Sequence, residues 1–266
     1  MMMKAWLSSL LCAVILSACG GKTAEKSSAA ASPAAPAQTQ KAYRVTTEML
    51  NIPLVIRNGR DIGGFELELL QAIAERQNIT LDFAKLHTWQ GIFDTLDKDE
   101  ADIVAGAVTY SKERAERMEM TLPHFEYEFA MLANKQAAGA RGFADLRGKN
   151  VSLKRDSIAE TLIPMFGAAG ESNIIRTTTT WEAIKEVLAG KAASATGSSA
   201  VMYYYAKQYK NQHPDLFVLT DPSLPKRHYV FAVKKGNTEL VRILNEGLAK
   251  VRADGTYDML YRKYWH

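Results

Sequence analysis

Short strand patterns and amphipathic helix patterns alternate along the chain from residue 43 to residue 251. Residues 79–83 alternate apolar and polar side chains, and residues 229–233 form a nearly continuous apolar run, as strands do. Apolar residues at helical spacing occupy 65–74 and 240–251. Because strands that alternate with helices form parallel sheets covered by helices, the pattern predicts an α/β fold.

The composition excludes several classes of protein. Hydrophobic residues make up 47% of the chain, which is too many for a wholly disordered protein. No apolar run reaches the roughly 18 residues that a membrane-spanning helix needs. The formal net charge is only +4, so nucleic acid is not expected as a partner.

The N-terminus has the pattern of a secreted lipoprotein. A short basic head precedes an apolar stretch at residues 5–16, and LSACG follows at 16–20. This sequence resembles a bacterial lipobox, which predicts a signal peptide at 1–18 and lipidation of Cys19. Cys12 would leave with the signal peptide, so no internal disulfide is expected. An ordinary signal peptide cleaved near Ala18 is the alternative.

Residues 19–40 are predicted to be a disordered tether, because from residue 20 onward they hold no large apolar side chain. A lipid-anchored protein of the periplasm is therefore expected. Gly20 follows the cysteine where an Asp would favour the inner membrane, so the outer membrane is favoured in a cell with two membranes.

Motifs of catalysis and cofactor binding are absent from the sequence. It has no glycine-rich dinucleotide motif, no P-loop and no nucleophile elbow. The five histidines lack the spacing of metal ligands. We therefore expect no enzymatic activity, no cofactor and no metal.

Two segments have the features of anion-binding sites. GAVTYSKER at 106–114 follows a buried strand and precedes a helix, where ligands of α/β sheets gather. Its Arg114 is suited to bidentate binding of a carboxylate. LKRDSIAE at 153–160 places Ser157 and Glu160 at capping-box spacing after a strand. A surface ion pair and a plain helix cap are the alternatives.

These segments and others together resemble the amino-acid-binding proteins of bacterial ABC importers, which have the type 2 periplasmic-binding fold. The resemblance covers residues 43–265, and its most specific part is ADGTYDMLYRKYW at 253–265. The other matching segments are GFELEL at 64–69, WQGI at 89–92, ADIV at 101–104, TYSKER at 109–114 and AVKKG at 232–236.

The resemblance implies two α/β lobes with mixed sheets flanked by helices, joined by two crossing strands that act as a hinge. Lobe 1 would comprise residues 41–131 and 227–266, and lobe 2 residues 132–226. A monomer is expected, with an amino acid as ligand, a permease of the inner membrane as partner, and a membrane contact through the lipid on Cys19.

The resemblance also implies roles for individual residues. Arg114 would bind the ligand carboxylate, while Thr109 and the carbonyl of Ala107 would hold the amino group. Backbone donors at Ser157 and Ile158 would add to the carboxylate site, and Trp89 would form an aromatic wall.

Two positions depart from the family pattern, and a third keeps it. Ser198 stands where an Asp usually binds the ligand ammonium, and Asn51 stands where an aromatic residue is usual. Glu48 keeps the usual acidic character. Either the ligand is unusual, another group such as Glu48 binds the ammonium, or the contacts of lobe 2 are weak.

The resulting prediction is an extracytoplasmic binding protein that delivers a polar amino acid, or a related small carboxylate, to an ABC transporter. One alternative is an enzyme on the same fold, such as a cyclic-acid dehydratase with Glu48 or His124 as its acid or base. Another is a sensor or adhesin without a transport role.

Overall fold

The computed structural model describes residues 42–58, 61–166 and 173–265. The predicted signal peptide at 1–18, Cys19 and the predicted tether at 19–40 lie outside the described residues. None of the described helices combines the length and the apolar character needed to cross a bilayer.

Strands and helices follow one another along the described ranges. The strands are β1 Ala42–Glu48, β2 Leu50–Asn51, β3 Val55–Asn58, β4 Asp61–Gly63, β5 Thr80–His87, β6 Ile103–Thr109, β7 Met118–Met120, β8 Phe125–Tyr127, β9 Phe129–Ala133, β10 Val151–Lys154, β11 Ile174–Thr177, β12 Ser194–Ser198, β13 Phe217–Thr220 and β14 Arg227–Lys234. The α-helices are α1 Phe65–Gln77, α2 Gly91–Asp97, α3 Lys112–Arg117, α4 Thr180–Leu188, α5 Ser199–Tyr209, α6 Thr238–Ala253 and α7 Thr256–Trp265. Short 3-10 helices span Lys135–Ala137, Phe143–Leu146 and Ile158–Phe166.

The larger of two main sheets has the strand order β5-β1-β6-β14-β7, with β8 also paired to β14. Strand β1 runs parallel to β5 and β6, whereas β14 runs antiparallel to β6, β7 and β8. The second sheet has the order β11-β10-β12-β9-β13, in which β10 is parallel to its neighbours and β9 is antiparallel to them. Strands β2, β3 and β4 form a small third sheet. The predicted α/β fold with mixed sheets and flanking helices is confirmed.

The chain passes from one main sheet to the other twice. Glu128 separates β8 of the first sheet from β9 of the second, and residues 221–226 separate β13 from β14. The carboxyl ends of β6 in one sheet and of β10 and β12 in the other carry residues that line a shared cavity.

Helix α1 packs on α6 through a close contact at Gly247. A Cβ atom at this position would lie 2.6 Å from Cγ2 of Ile73, so only glycine permits this helix spacing. The buried side of α1, which includes Phe65, Leu69 and Ile73, joins the main hydrophobic core. This packing gives the first sheet a rigid backing.

The segment after Ser157 differs from its prediction. It forms a 3-10 helix, Ile158–Phe166, with Pro164 inside it. The hydroxyl of Ser157 accepts from the N–H of Ala159, and the Glu160 carboxylate pairs with Arg176 at 3.0 Å. The expected capping box is therefore wrong here, because Glu160 bonds to a neighbouring strand. At the start of α4, Thr179 and Glu182 form a capping box.

Candidate ligand-binding site

Residues from both main sheets line a cavity of about 50 Å³. Seven of the nine predicted ligand-binding residues line it: Asn51, Trp89, Ala107, Thr109, Ser157, Ile158 and Ser198. The other two, Glu48 and Arg114, lie beside it. A volume of this size holds a few water molecules. The predicted residues are therefore neighbours in space, although the chain separates them widely.

Arg114 lies on α3 and lines a wider adjoining cavity of about 520 Å³, together with Trp89, Ser157 and Ile158. Its guanidinium donates to the carbonyl of Thr109 at 2.8 Å and lies 4.9 Å from the ring centroid of Phe93. Among the described residues, no carboxylate pairs with it. Burial lowers the pKa of Arg114, yet an arginine stays protonated at neutral pH. A half-buried cation of this kind is suited to an anionic ligand group.

Ala107 and Thr109 form the end of β6 that faces the cavity. The hydroxyl of Thr109 shares a hydrogen bond of 2.7 Å with that of Tyr127, and burial raises the pKa of Tyr127 to about 12. Both hydroxyls are therefore neutral at physiological pH. Ala107 has a positive φ of 59°, which is uncommon for a residue with a Cβ atom.

Glu48 and Lys154 form an ion pair between the two main sheets, at the ends of β1 and β10. The Lys154 ammonium lies 3.0 Å from Oε2 and 3.2 Å from Oε1 of Glu48, and the two residues are 7% and 4% exposed. The ammonium also lies 3.8 Å from the ring centroid of Trp89. Burial raises the pKa of Glu48, although Lys154 opposes the shift.

Lys154 lines the cavity, yet the sequence analysis did not select it. The sequence does mark this lysine, because it ends the strand VSLK, whose other residues are apolar or small. Lysine is almost never fully buried unless it has a partner, and no pattern in the sequence reveals that partner.

The loop after β10 connects the two sheets at the mouth of the cavity. Asp156 has a positive φ of 55°, and its carbonyl accepts from the indole N–H of Trp89 at 2.9 Å. Its side chain accepts from the amide of Gln90, also at 2.9 Å. The hydroxyl of Ser157 donates to the carbonyl of Lys154 at 2.6 Å. These bonds join the start of α2 to the end of β10.

The polar lining of the cavity is only partly satisfied by the protein. Ser198 caps α5 by accepting from the N–H of Val201 at 3.4 Å, and its hydroxyl carries no charge. Oδ1 of Asn51 and Oγ1 of Thr196 are buried and have no hydrogen-bond partner within the described ranges. Buried polar atoms normally find partners, so these two favour a ligand with polar groups.

His124, one of the two acid–base candidates, does not line the cavity. It is fully buried, and its ring stacks on Phe231 with 4.3 Å between centroids. Glu48 does not line the cavity either, but its carboxylate pairs with Lys154, which does. Within the described part of the chain, no three His, Cys, Asp or Glu side chains come together as metal ligands.

Comparisons with known proteins agree with this architecture. Residues 43–266 match the family described as bacterial extracellular solute-binding proteins, family 3. The chain is 30% identical over 269 residues to the probable histidine-binding protein of Neisseria gonorrhoeae, covering 100% of this chain and 97% of that protein. It is 26% identical over 268 residues to the ABC transporter glutamine-binding protein GlnH of Bacillus subtilis (strain 168), covering 97% and 94%.

A solved structure has a similar fold. It is an ancestral arginine-binding protein bound to glutamine, with a TM-score of 0.75 and 27% identity. The similarity covers 84% of this chain and 97% of that one.

Proposed function

The chain belongs to family 3 of the bacterial extracellular solute-binding proteins, and on that premise we propose that it captures a polar amino acid and delivers it to an ABC permease. Its fold is the two-lobed type 2 periplasmic-binding fold. The observation that carries the proposal is Arg114, a half-buried cation without a carboxylate partner among the described residues, next to the polar end of β6. The ligand carboxylate would bind there.

The ammonium of the ligand would bind to neutral groups. Thr109 offers a hydroxyl and Ala107 a carbonyl, while Ser198 offers a second hydroxyl in place of the usual Asp. Glu48 is occupied by Lys154 and is therefore poorly placed to take over the role of that Asp. Neutral acceptors give weaker bonds to an ammonium than a carboxylate does, so we expect the carboxylate to supply most of the affinity.

The Glu48–Lys154 pair would recognise the end of the ligand side chain. Glu48 accepts hydrogen bonds and Lys154 donates them, so together they suit a group that both donates and accepts. Their charges cancel, and a charged side chain would leave one of them unbalanced in a buried site. A side-chain amide meets these requirements, and we propose glutamine as the leading ligand. Two of the similar proteins are named for binding glutamine or are bound to it.

We propose that the two sheets move apart to admit the ligand, because residues from both of them line the cavity. We propose the two predicted lobes, residues 41–131 with 227–266 and residues 132–226, as the moving bodies. The passages at Glu128 and at residues 221–226 would form the hinge. The first passage lies slightly before the predicted boundary, so β9 would belong wholly to lobe 2.

The remaining parts of the proposal concern location and assembly. Membership of an extracellular family supports an extracytoplasmic location. We propose removal of residues 1–18, anchoring through lipid on Cys19, preferably in the outer membrane, and function as a monomer without a catalytic step.

A thermal-shift screen of the twenty L-amino acids tests the proposal on protein that has first been stripped of bound ligand. Because ligand binding to the native state raises the apparent stability, we expect the melting temperature to rise with glutamine or another polar amino acid. Arg114→Ala should abolish the shift, since losing a buried charged partner costs about 2–5 kcal/mol of binding free energy.

Arg117→Ala is the matched control, since Arg117 lies on the same helix and lines the same outer cavity, but is exposed and paired with Asp97. This variant should keep the shift. An unchanged shift in Arg114→Ala would remove Arg114 from the site.

A second candidate function rests on Glu48, whose buried carboxyl has a raised pKa, as the acid of an enzyme would. Prolonged incubation with the bound compound, followed by mass spectrometry, separates the two functions. A binding protein returns its ligand unchanged, whereas a dehydratase converts it.

A further inference from the structure

Glu66 belongs to the GFELEL segment, one of the segments that carry the family resemblance, yet it has no place in the ligand site described above. It lies in the first turn of α1, is fully buried, and does not line the cavity. A buried carboxylate is costly unless it is bonded, so its partners indicate what it does.

One partner is the backbone of the ligand site. Oε2 of Glu66 accepts from the N–H of Ala107, the residue whose positive φ of 59° places it in the left-handed region. Strand β6 bulges here: Val104 pairs with Ala232 and Val108 with Val230, so three residues of β6 face the single Phe231 of β14. The bond from Glu66 therefore holds the bulge at its least favourable residue.

The other neighbour of the carboxylate is His124. Oε1 of Glu66 lies 3.3 Å from Nε2 of this fully buried residue, but the two atoms do not form a hydrogen bond. The His124 ring stacks on Phe231, opposite the bulge, and its backbone N–H donates to the carbonyl of Tyr229. The carboxylate of Glu66 thus lies between the bulge and the stacked His124 ring.

We propose that Glu66 is a positioning residue that holds Ala107 in its left-handed conformation, so that the Ala107 carbonyl faces the ammonium of the ligand. This role rests on the proposed amino-acid binding. Glu66 acts through the backbone and touches no ligand atom. Its effect should therefore concern the amino group of the ligand and leave recognition of the carboxylate by Arg114 unchanged.

The experiment compares two probes by calorimetry: the tightest-binding of the twenty L-amino acids, and the same acid without its α-amino group. Glu66→Gln keeps the size of the side chain but weakens the bond to Ala107, because a neutral acceptor replaces a charged one. We expect about a tenfold loss of affinity for the amino acid and little change for the deamino analogue.

Glu68→Gln is the matched control on the same helix turn. Glu68 bonds to Lys263 at 2.7 Å and to the hydroxyl of Tyr264 on α7, away from the bulge, so its loss should lower the melting temperature and leave both affinities unchanged. If Glu66→Gln does not fold, Glu66→Asp serves in its place, since it keeps the charge but draws it away from Ala107.

Equal losses for both probes, or no loss for either, would overturn the positioning role while leaving amino-acid binding intact. If the wild-type protein binds none of the twenty amino acids, the proposed function fails and the role of Glu66 fails with it.

Discussion

At the scale of single residues, Glu48 and Lys154 form the pair that we propose for ligand specificity. They are 106 residues apart in the chain and come from different sheets, yet their charged groups lie 3.0 Å apart in a buried environment. Each would leave an uncompensated charge without the other. Burial of the pair therefore destabilises the free protein, and hydrogen bonds from a ligand amide would offset part of this cost.

The pair predicts a dependence of ligand affinity on pH. The ionised carboxylate of Glu48 accepts a stronger hydrogen bond from a ligand amide than the protonated group does, and burial raises the pKa of Glu48 above the ordinary value. Affinity should therefore fall as the pH drops, starting at a higher pH than an ordinary carboxyl group would give. Calorimetry with glutamine from neutral to mildly acidic pH measures this, with Glu48→Gln as control.

Glu48→Gln should bind glutamine more weakly than the wild type at neutral pH, and its affinity should no longer depend on pH. If the affinity of Glu48→Gln fell with decreasing pH by the same amount and at the same midpoint as in the wild type, a group other than Glu48 would be responsible.

Site residues could be placed from the sequence where a motif follows a strand end. Thr109 and Ser157 follow from this pattern and Ala107 follows from the family resemblance, and the structure brings all three to one cavity. Lys154 could not be found, because its importance depends on the distant Glu48. The bonding of Asp156 to Trp89 was equally hidden, since nothing local in the sequence indicates contacts between sheets.

At the scale of elements, the turn after β10 forms hydrogen bonds across the cavity. Asp156 has the left-handed conformation that glycine adopts without steric cost, and its side chain bonds to Gln90 on the other side of the cavity. A non-glycine residue in this conformation is uncommon. We infer that the side chain acts as a latch between the two lobes.

Removing the latch should accelerate ligand release. Asp156→Gly keeps the backbone conformation at no steric cost but removes one hydrogen bond between the lobes, so release should be about two- to tenfold faster. Stopped-flow fluorescence measures the rate. Asp156→Asn is the control, because asparagine also tolerates the left-handed region and keeps an acceptor for Gln90. If the wild type and Asp156→Gly released the ligand at the same rate, the Asp156 side chain would not act as a latch.

Most helices and strands could be predicted from the periodicity of apolar residues, and the segment after Ser157 is an exception. The patterns at 65–74 and 240–251 lie within α1 and α6, because their apolar spacing matches a buried helix face. The segment after Ser157 was expected to begin with a capping box. It forms a 3-10 helix with Pro164 inside, and the Glu160 carboxylate pairs with Arg176 instead. The periodicity of apolar residues does not reveal this partner.

At the scale of the whole molecule, the chain forms two main sheets and passes between them twice. The cavity lies where the carboxyl ends of strands from both sheets meet, which is where α/β folds bind ligands. An arrangement of this kind can enclose a small molecule completely, since each sheet contributes part of the lining. The fold class could be predicted from the sequence, whereas the identity of the ligand depends on contacts across the cavity.

The central claim is that the site binds the carboxylate of an amino acid through Arg114 and recognises the uncharged side chain of that ligand through Glu48 and Lys154. Isothermal titration of the ligand-stripped protein with L-glutamine, and with L-arginine at the same concentration, tests this most directly. We predict one-site binding of glutamine with micromolar or tighter affinity, and much weaker binding of arginine, whose extra cation would meet the Lys154 ammonium. Tighter binding of arginine than of glutamine, or no binding of either, would contradict the account.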